Sequence, residues 1–261
     1  MMQLLVGADP EVFIQQAGKY LSAYGLIPGN KENPHAVDNG AVQVDGMALE
    51  FNILPADSSE TFLFNITSVM QQLREMVPEF EVVADPVATF TEEYLKEQPP
   101  EALELGCDPD YNGWTLQENK KPDFRLPMRT GAGHVHIGYS EGLPLNEEHF
   151  KLCGRMAKQL DFCLGLPSVL LDPDVRRRSM YGQAGAFRPK HYGLEYRVLS
   201  NFWLKRNDLI EWVFNNATSG LLRMRDGEEL VEQYGDIQAV INGSDKAEAS
   251  RIIDQAGIQM P

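Results

Sequence analysis

The chain has 261 residues and is 43% hydrophobic, enough to fill a substantial core, which excludes a disordered or fibrous protein. Its 23 Lys and Arg stand against 38 Asp and Glu, a formal net charge of -15, so its field repels nucleic acid and anionic membrane surfaces. Cys107, Cys153 and Cys163 are odd in number and lack a Cys-x-x-Cys spacing, which argues against a disulfide framework or cysteine-rich zinc site and fits a reducing cytoplasm. No segment reaches the roughly 18 apolar residues of a membrane helix, and Met1 to Val6 lacks a basic region, so a soluble, unprocessed chain is expected.

The first third reads as hairpins. Val12 to Gln15 and Lys19 to Ala23 flank Ala17-Gly18, and Val42 to Val44 and Met47 to Leu54 flank Asp45-Gly46, dipeptides that accept the positive φ angles of tight turns. Asp57 then precedes Glu60 at capping-box spacing, and Phe62, Phe64, Ile66, Val69, Met70, Leu73 and Val77, mostly three or four apart, predict a helix ending near Pro78. Gln98 to Met128 is rich in Pro, Gly, Asp and Asn with little periodicity, the pattern of a long surface excursion suited to a mobile lid.

A second helix is predicted after Asn146, with Phe150, Cys153, Met156, Ala157 and Leu160 on its inner stripe and Gly165 and Pro167 ending it. A third runs from an Asn207 cap to Leu221, and shorter helices cover Glu228 to Gln233 and Lys246 to Gln255, the last capped by Asp245. Without repeats or a clear linker, the chain reads as one mixed α+β domain, with residues 1–206 carrying the site and a helical carboxyl-terminal part, 207–261, packed on it.

Four polar pairs, spaced two apart in apolar segments, are the informative feature: Asp9 and Glu11, Glu50 and Asn52, His134 and His136, Glu195 and Arg197. Residues i and i+2 of a strand share a face. A solvated strand alternates in the same way without any function. Here, however, the polar positions hold carboxylates, imidazoles and a guanidinium, and glycines beside His134 and at Gly138 suggest close approach of a ligand to the backbone. If these faces converge, the carboxylates would raise one another's pKa unless a cation sat among them, and the oxygen-rich set suits Mg²⁺ or Mn²⁺. Such a magnesium site commonly completes its shell with phosphate oxygens, which points to a nucleotide. Asp174 to Arg206 adds eight basic residues against two acidic, in a glycine-rich context. Arg176, Arg177, Arg178, Arg188, Lys190 and Arg197 are thus candidate polyphosphate contacts, although three consecutive arginines cannot all face one ligand.

The segments Gly-Ala-Asp-Pro-Glu-Val-Phe, Asp-Gly-x-x-Leu-Glu-Phe-Asn, Gly-x-Gly-His-Val-His-Ile-Gly and Tyr-Gly-x-Ala-Gly-Ala-Phe-Arg-Pro-Lys-x-Tyr-Gly-x-Glu-Tyr-Arg follow in that order between Gly7 and Trp203. They resemble the phage-encoded carboxylate-amine ligases of type 2, an amidoligase group in the glutamine synthetase-like superfamily. The resemblance implies a curved antiparallel sheet with helices on its outer face and an active-site funnel inside. It implies Glu11, Glu50, His134 and Glu195 as metal ligands, and His136, Arg188, Lys190 and Arg178 as ATP contacts. Arg197, with Arg188, would stabilise the transferring phosphoryl group. The first motif has Asp-Pro-Glu where glutamine synthetase has Glu-x-Glu, which leaves the role of Asp9 and the number of metal ions open. The implied function is ATP-dependent amide formation through an acyl phosphate, in the cytoplasm of a host cell, on small-molecule or peptide carboxylate and amine substrates. The competing readings are a metal-dependent hydrolase, a kinase of the guanidino type and a non-catalytic nucleotide-binding phage protein. No sequence feature specifies an interface, so the oligomeric state stays open.

Overall fold

The computed structural model describes residues 4–103, 109–120 and 126–261. Cys107 and parts of the Gln98 to Met128 excursion lie outside the described residues. The chain enters through β1 (Leu5–Ala8) and passes by Asp9-Pro10 into β2 (Glu11–Gln16). The expected first hairpin turns at Ala17 and Gly18, with φ of 50° and 74°, into β3 (Lys19–Leu21). After β4 (His35–Val37), β5 (Gly40–Asp45) and β6 (Ala48–Ile53) form the second hairpin around Gly46. Helix α1 (Ser59–Met76) starts one residue later than its expected cap: Ser58 is still extended, and its hydroxyl, rather than Asp57, accepts from the Thr61 N–H.

The next elements are β7 (Glu81–Val83), β8 (Val87–Thr89), α2 (Glu92–Lys96), α3 (Pro100–Leu103), β9 (Tyr111–Asn112), β10 (Met128–Thr130) and β11 (Val135–Gly138). Helix α4 (Glu147–Leu160) is capped by Asn146 as expected, its side chain accepting from the His149 N–H. Gly165 and Pro167 do not end it. A wide turn at Asp161–Gly165 leads directly into α5 (Leu166–Leu171), with the Leu166 N–H donating to Asp161 five residues back. Pro167 offers no N–H to the Cys163 carbonyl, and Asn216 Nδ2 donates to it instead at 2.9 Å. The chain closes with α6 (Arg176–Met180), β12 (Ala186–Lys190), β13 (Gly193–Tyr196), a tight turn at Asn201–Lys205, α7 (Asn207–Arg225), α8 (Leu230–Tyr234), α9 (Gln238–Asn242) and α10 (Lys246–Ala256). Asn207 is already helical and does not cap α7, whereas Asp245 does cap α10. Helix α9 is an element that the sequence pattern did not announce.

These strands make antiparallel sheets in a mixed α+β architecture. One has the order β1-β11-β13-β12-β9 and another β3-β2-β6-β5-β4, with β7 also on β2, while β8 and β10 form a separate pair. The two larger sheets are stitched together at β1, where Val6 exchanges two backbone hydrogen bonds of 2.8 Å with Ala56, just past β6. Helix α1 packs on β5 and β6, α4 on β12 and β13, and α7 on both helices. The strands turn Leu49, Phe51, Val135, Ile137, Phe187, Leu194 and Tyr196 into one core with those helices. Leu209, Ile210, Ile252 and Ile253 from residues 207–261 belong to the same core.

Residues 109–120 do not form a lid. Tyr111 and Asn112 extend the sheet edge as β9, and Trp114 Nε1 donates to the buried Asp161 carboxylate at 2.7 Å. Two aromatic anchors hold this stretch down although its composition resembles a loop. No helix among the described residues is long and apolar enough to cross a membrane.

Candidate active site

With one sheet face covered by helices, the alternate side chains are left to line a cavity of about 760 Å³. Strand register sets them in two rows. Across the first sheet, Gly7, His136, Glu195 and Arg188 are successive cross-strand partners. Across the second, Glu11, Glu50 and Gln43 stand side by side. Asp9 and Glu11, one residue either side of Pro10, carry the chain from one row to the other. Asp9, Glu11, Glu50, Asn52, His134, His136 and Arg197 all line this cavity, and Glu195 lies beneath its floor, fully buried.

The first row is charge-compensated. Glu195 is bonded by the Arg197 guanidinium, by Lys190 Nζ at 2.8 Å and by Arg188 Nη1 at 3.2 Å. Arg197 is held in turn by Asp110 at 3.1 Å, and its guanidinium lies 5.4 Å from the centre of the Tyr181 ring. His134 Nδ1 meets Asp9 and Glu195 at 3.4 Å each and Arg197 at 3.3 Å. Burial, followed by the charge of Arg197, pushes the His134 ring down to about 4, so it is neutral. His136 behaves in the opposite way. Burial opposes its charge, but Asp9 at 2.9 Å and Glu195 together raise its pKa, while Tyr192 bonds its other nitrogen. Asp9 stays ionised, since the His136 charge and its histidine contacts outweigh burial.

The second row is compensated less: the charges of Arg177 and Arg197 reach Glu11, and those of Lys31 and Arg197 reach Asp45, without outweighing burial. Glu11 is pushed up to about 7 by burial and by Asp45, although its carboxylate accepts from the Ala132 N–H at 2.8 Å. Glu50, bonded to Gln43 at 2.6 Å, is raised well above the usual range by burial and by Asp9, Glu11 and Asp45. Burial raises Asp45 as well, against the pull of Lys31 and Arg197. Such a wall of facing carboxylates is stabilised by a cation.

A divalent ion fits these donors. Asp9, His136 and Glu195 place one ligand atom each within 4.8 Å of one another, the set of three that geometry singles out among the described residues. Asp9 Oδ1, His134 Nε2 and His136 Nε2 are buried without an aligned hydrogen-bond partner, a state that metal ligation would relieve. Glu11, Glu50 and His134 lie around the same cavity but outside that set of three.

Several expectations change. Arg178, expected at the nucleotide, faces the interior and donates to Ser168 Oγ at 2.9 Å, away from the cavity. Arg177 is buried, donating to the Val198 carbonyl at 2.7 Å, and exposed Arg176 pairs with Asp174. The three neighbours project three ways because a helix rotates about 100° per residue. Lys205 and Arg206 pair with Asp85 and Asp208. Gly131 and Gly133 admit protein rather than ligand: a Cβ at Gly133 would fall 2.2 Å from the Ser200 carbonyl, and one at Gly131 2.4 Å from Asn201 Nδ2. That close approach seats His134, with Trp203 Nε1 donating to the Gly133 carbonyl at 3.2 Å. Asp110 and Arg129 are cavity or supporting residues outside every quoted motif, while Asp45 and Tyr181 open two of those motifs and were given no role of their own. Arg129 was detectable as the one basic residue just ahead of the glycine-histidine motif.

Residues 116–222 match the family model described as phage phiEco32-like COOH.NH2 ligase-type 2, under half of the chain, and the match supports the resemblance. It includes His134, His136, Arg188, Lys190, Glu195 and Arg197, runs on into α7, and leaves Asp9, Glu11 and Glu50 outside. A search of curated proteins returns no match.

Proposed function

We propose that the protein is an ATP-dependent carboxylate-amine ligase of glutamine synthetase-like architecture that forms an amide through an acyl phosphate. The name of the matched family indicates a carboxylate-amine ligase. The observation that carries the finer reading is the pairing, in one cavity, of an acidic wall of Glu11, Asp45 and Glu50 with a basic wall of Arg188, Lys190 and Arg197. Phosphoryl transfer needs both. Asp9, Glu11, Glu50, His134, His136 and Glu195 supply candidate ligands for Mg²⁺ or Mn²⁺, which when bound neutralises charge on the ATP phosphates.

The chain's own groups have these roles. Arg188 and Lys190 bind phosphate oxygens, His136 is given over to the metal instead of the phosphate contact expected of it, and Arg197, steadied by Asp110 and Tyr181, stabilises the charge of the transferring group. The substrate carboxylate attacks the γ-phosphate and ADP leaves; an amine then attacks the acyl carbon and expels phosphate. Cavity walls that exclude water protect the acyl phosphate from hydrolysis.

The test is ADP release by the full chain with MgCl₂, ATP and pooled amino acids and dicarboxylic acids, with amide products sought by mass spectrometry. ADP and phosphate formation that rises when amine joins carboxylate, with a matching amide, is the expected result. A phosphorylated end product without free phosphate would make it a kinase, turnover without ATP a metal-dependent hydrolase, and nucleotide binding without turnover a non-catalytic protein.

A further inference from the structure

Arg129, on β10, differs from the other arginines of the cavity. It is 6% exposed and lines the cavity wall. Its Nη1 donates to two backbone carbonyls, Leu126 at 3.1 Å and Met128 at 2.9 Å. Its Nε is buried with no hydrogen-bond partner, and no carboxylate pairs with it among the described residues. The carbonyls thus fix one arm of the guanidinium and leave the Nε side of the fork unused, the side that grips a carboxylate with two parallel bonds. Burial lowers its pKa, which reflects the cost of an enclosed cation without a counter-charge. Arg188 and Arg197, by contrast, already bond Glu195.

We infer that Arg129 anchors a second carboxylate of the acid substrate, so that the substrate class is a dicarboxylate or an amino acid with a free carboxylate away from the reacting one. The inference rests on the ligase reading for the identity of the ligand. The location favours the acid over the nucleotide. Arg129 belongs to the separate β8–β10 pair, whereas His136, Arg188 and Lys190 belong to the five-stranded sheet. His134 lies five positions further along the chain and lines the same cavity, so one extended acid can touch Arg129 and still present its other end to the metal-ligating residues.

The experiment measures melting of the full chain with linear dicarboxylates from malonate to suberate, each beside the monocarboxylate of equal carbon count, and separately with Mg²⁺ and β,γ-imido-ATP. At least one dicarboxylate is expected to stabilise the protein beyond its monocarboxylate counterpart. Arg129→Gln should erase that difference, weakening the diacid roughly 10- to 100-fold, with the imido-ATP shift unchanged. Arg129→Lys, which keeps the charge but not the fork, should fall between and serves as the readout if the Gln variant does not fold. The inference is overturned if no dicarboxylate outperforms its partner, if the variants keep the preference, or if imido-ATP weakens in parallel, which would make Arg129 a phosphate contact. A diacid preference without imido-ATP binding to the wild type would sink the ligase reading and leave the anion site standing.

Discussion

The two rows of the cavity solve the same problem differently. On the five-stranded sheet, buried Glu195 is surrounded by Arg188, Lys190 and Arg197, and the protein provides its own counter-charge. On the other sheet Glu11 and Glu50 face each other with Asp45 nearby, and both glutamates are raised, by burial first and then by the neighbouring carboxylates. Burial is common to both, so the contrast isolates compensation. A compensated wall is finished when the chain folds, and one compensated less is finished by a ligand.

That contrast breaks first at Glu195. Glu195→Ala leaves three cations around a buried gap and should cost about 3–5 kcal/mol in chemical denaturation; a neutral result would mean that this wall is not held by charge. Opposite in sign, Glu11→Gln should stabilise the metal-free protein by up to about 3 kcal/mol, since a carboxyl raised from 4.5 to about 7 opposes folding once ionised. The native state holds that proton longer than the unfolded chain. The wild type therefore loses stability as pH climbs from 4.5 to 7 and levels off above, and the benefit of the substitution should grow across the same window. Titrating Mg²⁺ into the wild type should restore about 1.4 kcal/mol at ten times the dissociation constant, and calorimetry should show this increment lost in Glu50→Gln. The smallest effect concerns Arg178: its replacement by Lys should leave imido-ATP affinity unchanged, where Arg188→Lys lowers it by about tenfold, as read by fluorescence titration.

The pairs at i and i+2 were legible because strand alternation is a local rule, and Glu50 with Asn52 or His134 with His136 needed no partner strand to be assigned a face. Register was not legible. Nothing local says that His136 stands opposite Glu195, or that Glu195 stands opposite Arg188. The basic stretch misled for a related reason: charge counted along the chain ignores helix rotation, and Arg178 turned inward to Ser168. The glycines beside His134 were read as places where a ligand nears the backbone, but at Gly131 and Gly133 the approaching atoms belong to Asn201 and Ser200, some 70 residues on. Arg129 escaped notice because its burial depends on β8 pairing with β10 across a segment with no periodicity.

Strand β1 sits where the two large sheets meet, hydrogen-bonded to Ala56 on one side and to Val135–Gly138 on the other. During synthesis it is made long before that second neighbour exists, so its far edge stays open until well over a hundred further residues have been translated. Assembly of the cavity floor therefore waits on loop closure over long sequence distances, which slows folding in general. An unfinished chain would expose a bare strand edge available for pairing between nascent copies.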